Sequence, residues 1–152
     1  MAKSSNASQK PKKLPAKLAF YALQLIPRQI NLSDEPMYEF NDETLQIIAY
    51  LCDIPFASFG GIEKYKTIEE KAAALFYHTI KNHSLPNGNK RTAVILTFTF
   101  LVYNEKWIYL EHKDLYDLSL QIASSSSADE DKDYNHILKL FSERIVDLSS
   151  VK

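Results

Sequence analysis

A mostly helical single domain is the fold this sequence predicts, and three observations predict it. Glycine is the cheapest residue at positive φ, and only Gly60, Gly61 and Gly88 are present, so the chain is mostly helical with two demanding backbone sites. Apolar residues recur at helical spacing in separate stretches of the chain. Capping signals stand just ahead of two of these stretches. With 152 residues, of which 45% are hydrophobic, the chain is near the common size for one domain and can bury a substantial core.

Residues 1–13 are polar, lysine-rich and without periodicity, and they read as a flexible basic tail. Lys10, Lys12, Lys13 and Lys17 precede the apolar run 18–26 and so imitate a short signal peptide. The run ends in Pro27-Arg28-Gln29 with no small-residue cleavage site, and it is far too short to span a bilayer. The reading is therefore a cytoplasmic protein with no membrane partner. Residues 14–40 form an N-terminal helix and linker: Leu14, Leu18, Tyr21 and Leu25 recur at helical spacing, Pro27 closes the helix, and the acidic stretch 33–39 marks a boundary.

The main domain covers residues 41–148. Asn41 or Asp42 can cap a helix with apolar positions Leu45, Ile48 and Leu51, and Pro55 ends it. The piece 53–66 holds Gly60-Gly61 between apolar and aromatic residues and reads as a small hairpin or an open loop. Thr67-Ile68-Glu69-Glu70 has the form of a capping box, opening a helix that runs through about His78 to Asn82. The segment 92–103 (TAVILTFTFLVY) is β-branched and aromatic, as a strand would be, yet its length and lack of a polar face fit a helix buried on all sides. Beyond it, Glu105-Lys106-Trp107 begins a connection, and Leu115, Leu118 and Ile122 mark another helix. The run 124–131 reads as a solvated loop, and Ile137, Phe141, Ile145 and Leu148 form the stripe of a last helix.

Charge and cysteine content remove several classes of function. A net charge of −1 gives the whole molecule no attraction for nucleic acid, which leaves only the basic tail for such contacts. The one cysteine, Cys52, excludes an intrachain disulfide and a cysteine-based zinc cage and reads as a buried, inert thiol.

The chemistry concentrates in His83-Ser84-Leu85-Pro86-Asn87-Gly88-Asn89-Lys90-Arg91-Thr92. Gly88 lets backbone amides approach an anion, and a helix starting after it would aim its free amides and positive dipole end at the same spot. Lys90 and Arg91 would neutralise phosphate charge, Arg91 gripping two oxygens at once. His83, one turn beyond His78, could take a proton from an attacking hydroxyl. Pro86-Asn87-Gly88-Asn89 is equally a good hairpin turn, which would make His83 a half-exposed strand residue and Lys90-Arg91 a solvated pair.

The same stretch resembles the signature loop of Fic/Doc proteins, His-x-Phe-x-(Asp/Glu)-(Gly/Ala)-Asn-(Gly/Lys)-Arg, here His83, Leu85, Asn87, Gly88, Asn89, Lys90 and Arg91. The flanks agree: residues 65–73 look like the run into the signature helix, and residues 124–132 look like the late serine-to-lysine segment of Doc-type chains. The likeness covers about residues 41–146. It implies an all-α helical bundle of Fic type, with the loop joining two central helices, the second being 92–103, and a small β-hairpin flap at Gly60-Gly61 that positions the target's backbone. It implies ATP or another nucleoside triphosphate with Mg2+ as cosubstrate, and transfer to a hydroxyl of a target protein. His83 would be the base, Arg91 would stabilise the transferring charge, and Gly88, Asn89, Lys90 and Thr92 would hold the nucleotide phosphates. Asn87 falls at the metal-binding position.

Two departures bear on this. Leu85 replaces the phenylalanine that anchors the loop in the core, and Asn87 replaces a carboxylate with a neutral amide, a poorer ligand for a hard cation. A catalytically weakened interaction module is therefore an alternative. Lys90 and Val94, where AMP-transferring relatives have glycine and a second arginine, point to the Doc branch and to phosphorylation, with AMP transfer as the other reading. The Doc likeness also implies the toxin of a toxin–antitoxin pair, with an antitoxin as partner and a translation factor as target. No convincing internal inhibitory helix is present, so regulation falls to a separate chain.

Overall fold

In the computed structural model, residues 9–28 and 36–151 are described. Residues 1–8 of the predicted tail and 33–35 of the acidic boundary lie outside them. Six α-helices and two small antiparallel strand pairs make up the described residues. No helix among these residues is long and apolar enough to cross a membrane.

The tail prediction is corrected for its last residues. Lys12 donates its amide to Asn104 Oδ1 at 2.6 Å, the Lys13 ammonium lies 2.8 Å from Asp53, and Leu14 is buried. Helix α1, Ala16–Leu25, follows with a different stripe from the one predicted. Ala19 and Leu23 face inward, while Leu18, Tyr21 and Leu25 are 43%, 60% and 39% exposed. Both stripes satisfy helical spacing, and periodicity cannot choose between them.

Helix α2, Asp42–Asp53, is capped by Asn41. The Asn41 side chain accepts from the Thr44 amide at 3.0 Å, and the Thr44 hydroxyl accepts from the Asn41 amide at 2.9 Å. Cys52 sits in the core, where burial pushes its thiol pKa up to about 12 and so keeps it inert. Strands β1, Ser58–Phe59, and β2, Ile62–Glu63, then pair as a hairpin around Gly60-Gly61. Both glycines have positive φ, 58° and 80°, as a two-residue turn matched to strand twist requires. The hairpin is therefore what forms, rather than the open loop.

Helix α3, Ile68–Lys81, starts at the predicted capping box: the Thr67 hydroxyl accepts from Glu70 N at 3.1 Å and the Glu70 carboxylate accepts from Thr67 N at 3.0 Å. Helix α4, Asn89–Tyr103, is the segment whose propensity favours a strand. It packs against α1, α3 and helix α5, His112–Ser124. Enclosed on several sides, it satisfies its own backbone groups without needing a strand partner, and tertiary context overrides propensity. Together α3 and α4 form the central pair, and α3 also packs on helix α6, Glu130–Arg144.

Two predictions near the C-terminus are corrected. The solvated loop shortens to residues 125–129, because Glu130, Asp131 and Asp133 are placed to favour the positive end of α6 rather than a coil. The last stripe also breaks. Ile137 and Phe141 are buried in α6, but Ile145 belongs to β4, Ile145–Asp147, which pairs with β3, Lys106–Ile108. Ile145 lies opposite Ile108 and Val146 opposite Trp107, a β-branched and aromatic pairing that suits a strand.

Candidate active site

The site lies at the junction of α3 and α4. Asn82 ends α3 by returning its amide to the His78 carbonyl at 2.9 Å, and His83 follows with φ 50°. His83 thus sits beyond the helix rather than on it with His78, in the left-handed position where glycine is the usual helix terminator. Its ring is exposed. Two residues later Leu85, 2% exposed, plugs into the core and serves as the loop's anchor.

Asn89 fixes the shape of the loop. Its Oδ1 accepts from Leu85 N at 3.1 Å and its Nδ2 donates to the Leu85 carbonyl at 3.0 Å, so the amide can face only one way. The remaining Nδ2 hydrogen faces His83 Nδ1 at 3.4 Å, with the amide as donor and the ring nitrogen as acceptor. With its side chain spent on the loop, Asn89 has only its backbone amide to offer an anion. Gly88 precedes it with φ 70°, and a β-carbon there would lie 3.2 Å from Met37 Sδ and 3.5 Å from the Tyr38 ring. No side chain caps α4, so the amides of its first turn, beside the half-buried Lys90, are left without a side-chain partner from the N-cap position.

The other predicted phosphate ligands are already engaged. Arg91 is 7% exposed, donates from Nη2 to the Pro36 carbonyl at 3.1 Å, and lines a largely apolar groove of about 1040 Å³ between α1 and α4. Thr92 is fully buried, its hydroxyl 3.0 Å from the Tyr38 hydroxyl. Burial raises Tyr38 to about 12, so the phenol keeps its proton. His83 and Asn89 are therefore brought together, while Arg91 and Thr92 turn towards the strap 36–38. Pro36 and Tyr38 escape sequence reasoning because they fall in a stretch that reads as a boundary; the apolar Met37-Tyr38 and Phe40 within it are the signal of packing.

Asn87 Oδ1 is buried with no hydrogen-bond partner, an acceptor left open to a cation or a donor. No group of three or more His, Cys, Asp or Glu residues capable of holding a metal occurs among the described residues. A magnesium ion here would take one neutral oxygen from the protein and the rest of its ligands from phosphate and water, as the ion of a metal–nucleotide substrate does.

Gly60 and Gly61 form the hairpin tip, where Phe59 and Ile62 are 75% and 65% exposed. A cleft of about 650 Å³, lined by Tyr50, Lys64, Tyr65, His78 and Asn82 among others, runs from beside this hairpin to the residue preceding His83. His78 belongs to its wall. It contacts the Tyr65 hydroxyl through Nε2 at 3.3 Å, and burial lowers its pKa.

A family model described as the Fic/DOC family matches residues 24–101. A curated relative named Toxin Doc, from Mycolicibacterium smegmatis (strain ATCC 700084 / mc(2)155), is 44% identical over 50 residues. That stretch covers 33% of this chain and only 38% of the relative. No solved structure matches the chain.

Proposed function

The chain belongs to the Fic/DOC family, and on that premise we propose that it is a protein-modifying transferase of Doc type, moving the γ-phosphoryl group of a metal-bound nucleoside triphosphate to a hydroxyl of a target protein. The observation that supports this best is the uncapped N-terminus of α4, set directly behind an exposed histidine held in a left-handed conformation. The amides and the dipole end favour a phosphate, and the histidine stands where an attacking hydroxyl must lose its proton. A helix terminus and a base in one loop are what phosphoryl transfer asks of a protein, since catalysis there is mostly positioning and charge stabilisation.

In the reaction, the target's hydroxyl oxygen bonds to the γ-phosphorus, the bond from that phosphorus to the β-bridging oxygen breaks, and the nucleoside diphosphate leaves. The hydroxyl proton goes to His83. Nδ1 is the accepting nitrogen, and its 3.4 Å contact with Asn89 is long enough to yield to the incoming hydroxyl. Lys90 and the amides at Gly88 and Asn89 stabilise the equatorial oxygens, and Asn87 Oδ1, a buried acceptor without a partner, is the protein oxygen that would hold Mg2+, which would supply charge to the phosphates. Arg91 joins them by letting go of Pro36, or acts from its present place through charge alone. The long cation at position 90, where AMP-transferring relatives have glycine, favours transfer from the γ position.

The name of the relative supports a further reading, that this chain is a toxin; the likeness to Doc-type chains extends it to one held by an antitoxin chain and directed at a translation factor in the cytoplasm. The test is to incubate the protein and a cell extract with ATP labelled at either the α or the γ phosphate. Label entering protein from the γ position is the expected result, increased by Asn87→Asp, which restores a charge to the metal ligand. Incorporation of the α label makes the chain an AMP transferase. Incorporation of neither leaves a binding module.

A further inference from the structure

Lys71 is 1% exposed, and its charge is not used by the chemistry above. It stands on α3 in the Thr67–Ala73 run, and all three of its donors are occupied. Nζ donates to the Pro55 carbonyl at 3.1 Å, to the Tyr65 carbonyl at 2.6 Å and to Glu63 Oε1 at 2.6 Å, and it lies 4.4 Å from the centre of the Phe56 ring. Pro55 and Tyr65 flank the hairpin on its two sides, Pro55 in the 3-10 turn before it, and Glu63 lies on its second strand. One ammonium therefore gathers both approaches to the hairpin and one of its strands onto the central helix.

The hairpin has little else to hold it. Each strand is two residues long, its apolar side chains Phe59 and Ile62 point to solvent, and a lone hairpin of this size is not stable in water. Among the described residues, the Lys71–Glu63 pair is the one hydrogen bond or salt bridge joining residues 58–64 to an α-helix. A core position at the same place on α3 could be filled by methionine at no electrostatic cost, whereas burying an ammonium is expensive unless it is fully paired. A charge kept here is one that ties.

We propose that Lys71 is the positioning residue of the flap, an ammonium that sets where the hairpin's edge lies relative to the loop so that the target's backbone is presented to His83. This rests on the transferase reading. Its action is on the protein substrate and not on the nucleotide, because its contacts all lie on or beside the flap and none on the residues 83–92.

Two variants test it. Glu63→Gln removes only the charge on the flap, and Glu63 is 44% exposed, so the fold is kept. Lys71→Met removes the whole knot. Hydrogen exchange at the amides of residues 58–64 should become several-fold faster in Glu63→Gln and faster still in Lys71→Met. The KM for the target protein should rise roughly tenfold with the KM for nucleotide unchanged, the scale expected for losing a charge-assisted hydrogen bond. Unchanged flap exchange in Glu63→Gln overturns the proposal. So does a KM change shared equally by both substrates. Exchange needs no substrate, so a chain that transfers nothing at all would sink the transferase reading and leave the anchor to be judged by exchange alone.

Discussion

His83 occupies a backbone position that suits glycine. At φ 50° a side chain costs about 1 kcal/mol, as it does at Glu105, φ 59°, in the turn after α4. The substitution His83→Gly should accordingly raise the thermal midpoint by roughly 2–4 °C, the shift expected for that energy in a domain of this size, while abolishing transfer. His83→Ala should abolish transfer without any gain in stability. Thermal denaturation beside the labelled-ATP assay checks both, and a His83→Gly protein that is less stable than the parent would contradict the account of strain. Asn89 shows the reverse economy: its side chain holds the loop's shape. The identities of both residues could be read from the ordered pattern of the loop. Their different duties could not, because the partners of Asn89 are backbone atoms of Leu85, which no sequence displays.

Among the elements, α3 bears on the most: the flap anchor Lys71 on its second turn, His78 in the cleft, and the loop at its end. His78 is shielded from water against Tyr65, and burial, its largest influence, lowers its pKa below the ordinary 6.5, with Lys64 acting in the same sense and Glu130 opposing it. The folded state thus prefers the neutral ring, and below about 6.5 the unfolded chain takes up the proton first. His78 therefore gives its full stabilisation above 6.5 and loses it as the pH falls towards the lowered folded value. Thermal midpoints measured between pH 7.5 and pH 5 should decline more steeply in the parent than in His78→Gln; parallel curves would remove the burial argument. Helices with caps in the sequence were the most legible, Thr67 to the residue and Asn41 as one of two candidates with Asp42, since a cap's partner lies three positions away. Elements whose identity depends on distant partners were not. The inner face of α1, the helical state of 92–103 and the β3–β4 pairing are each decided by what packs alongside, and for 92–103 the likeness to a family supplied the answer that propensity withheld.

Across the described residues, the segment before α1 and the residue after β4 meet at the turn after α4. Asn104, 7% exposed, donates from Nδ2 to the Lys12 carbonyl at 3.0 Å and accepts from the Lys12 amide at 2.6 Å, while Leu148 N donates to the Glu105 carbonyl at 2.9 Å. The N-terminal segment and the last strand are thereby tied to one point at the far end of α4 from the active site. With 15 residues, α4 separates the two by about 22 Å. Asn104→Ala removes both bonds to Lys12, whose backbone groups can turn to water once the segment is released, and also the Nδ2 bond to the Phe100 carbonyl at 3.0 Å. The loss is therefore the net worth of about three hydrogen bonds, about 3 kcal/mol, or roughly 6–12 °C in the midpoint. Hydrogen exchange at the Lys12 and Lys13 amides should rise with it. Transfer measured well below the midpoint should stay at the parent's rate, because the α3–α4 junction keeps every contact described above. An unmoved midpoint would show that the segment before α1 is held by the burial of Leu14 instead, and a loss of transfer in a fully folded Asn104→Ala protein would show that the knot and the site are coupled along α4.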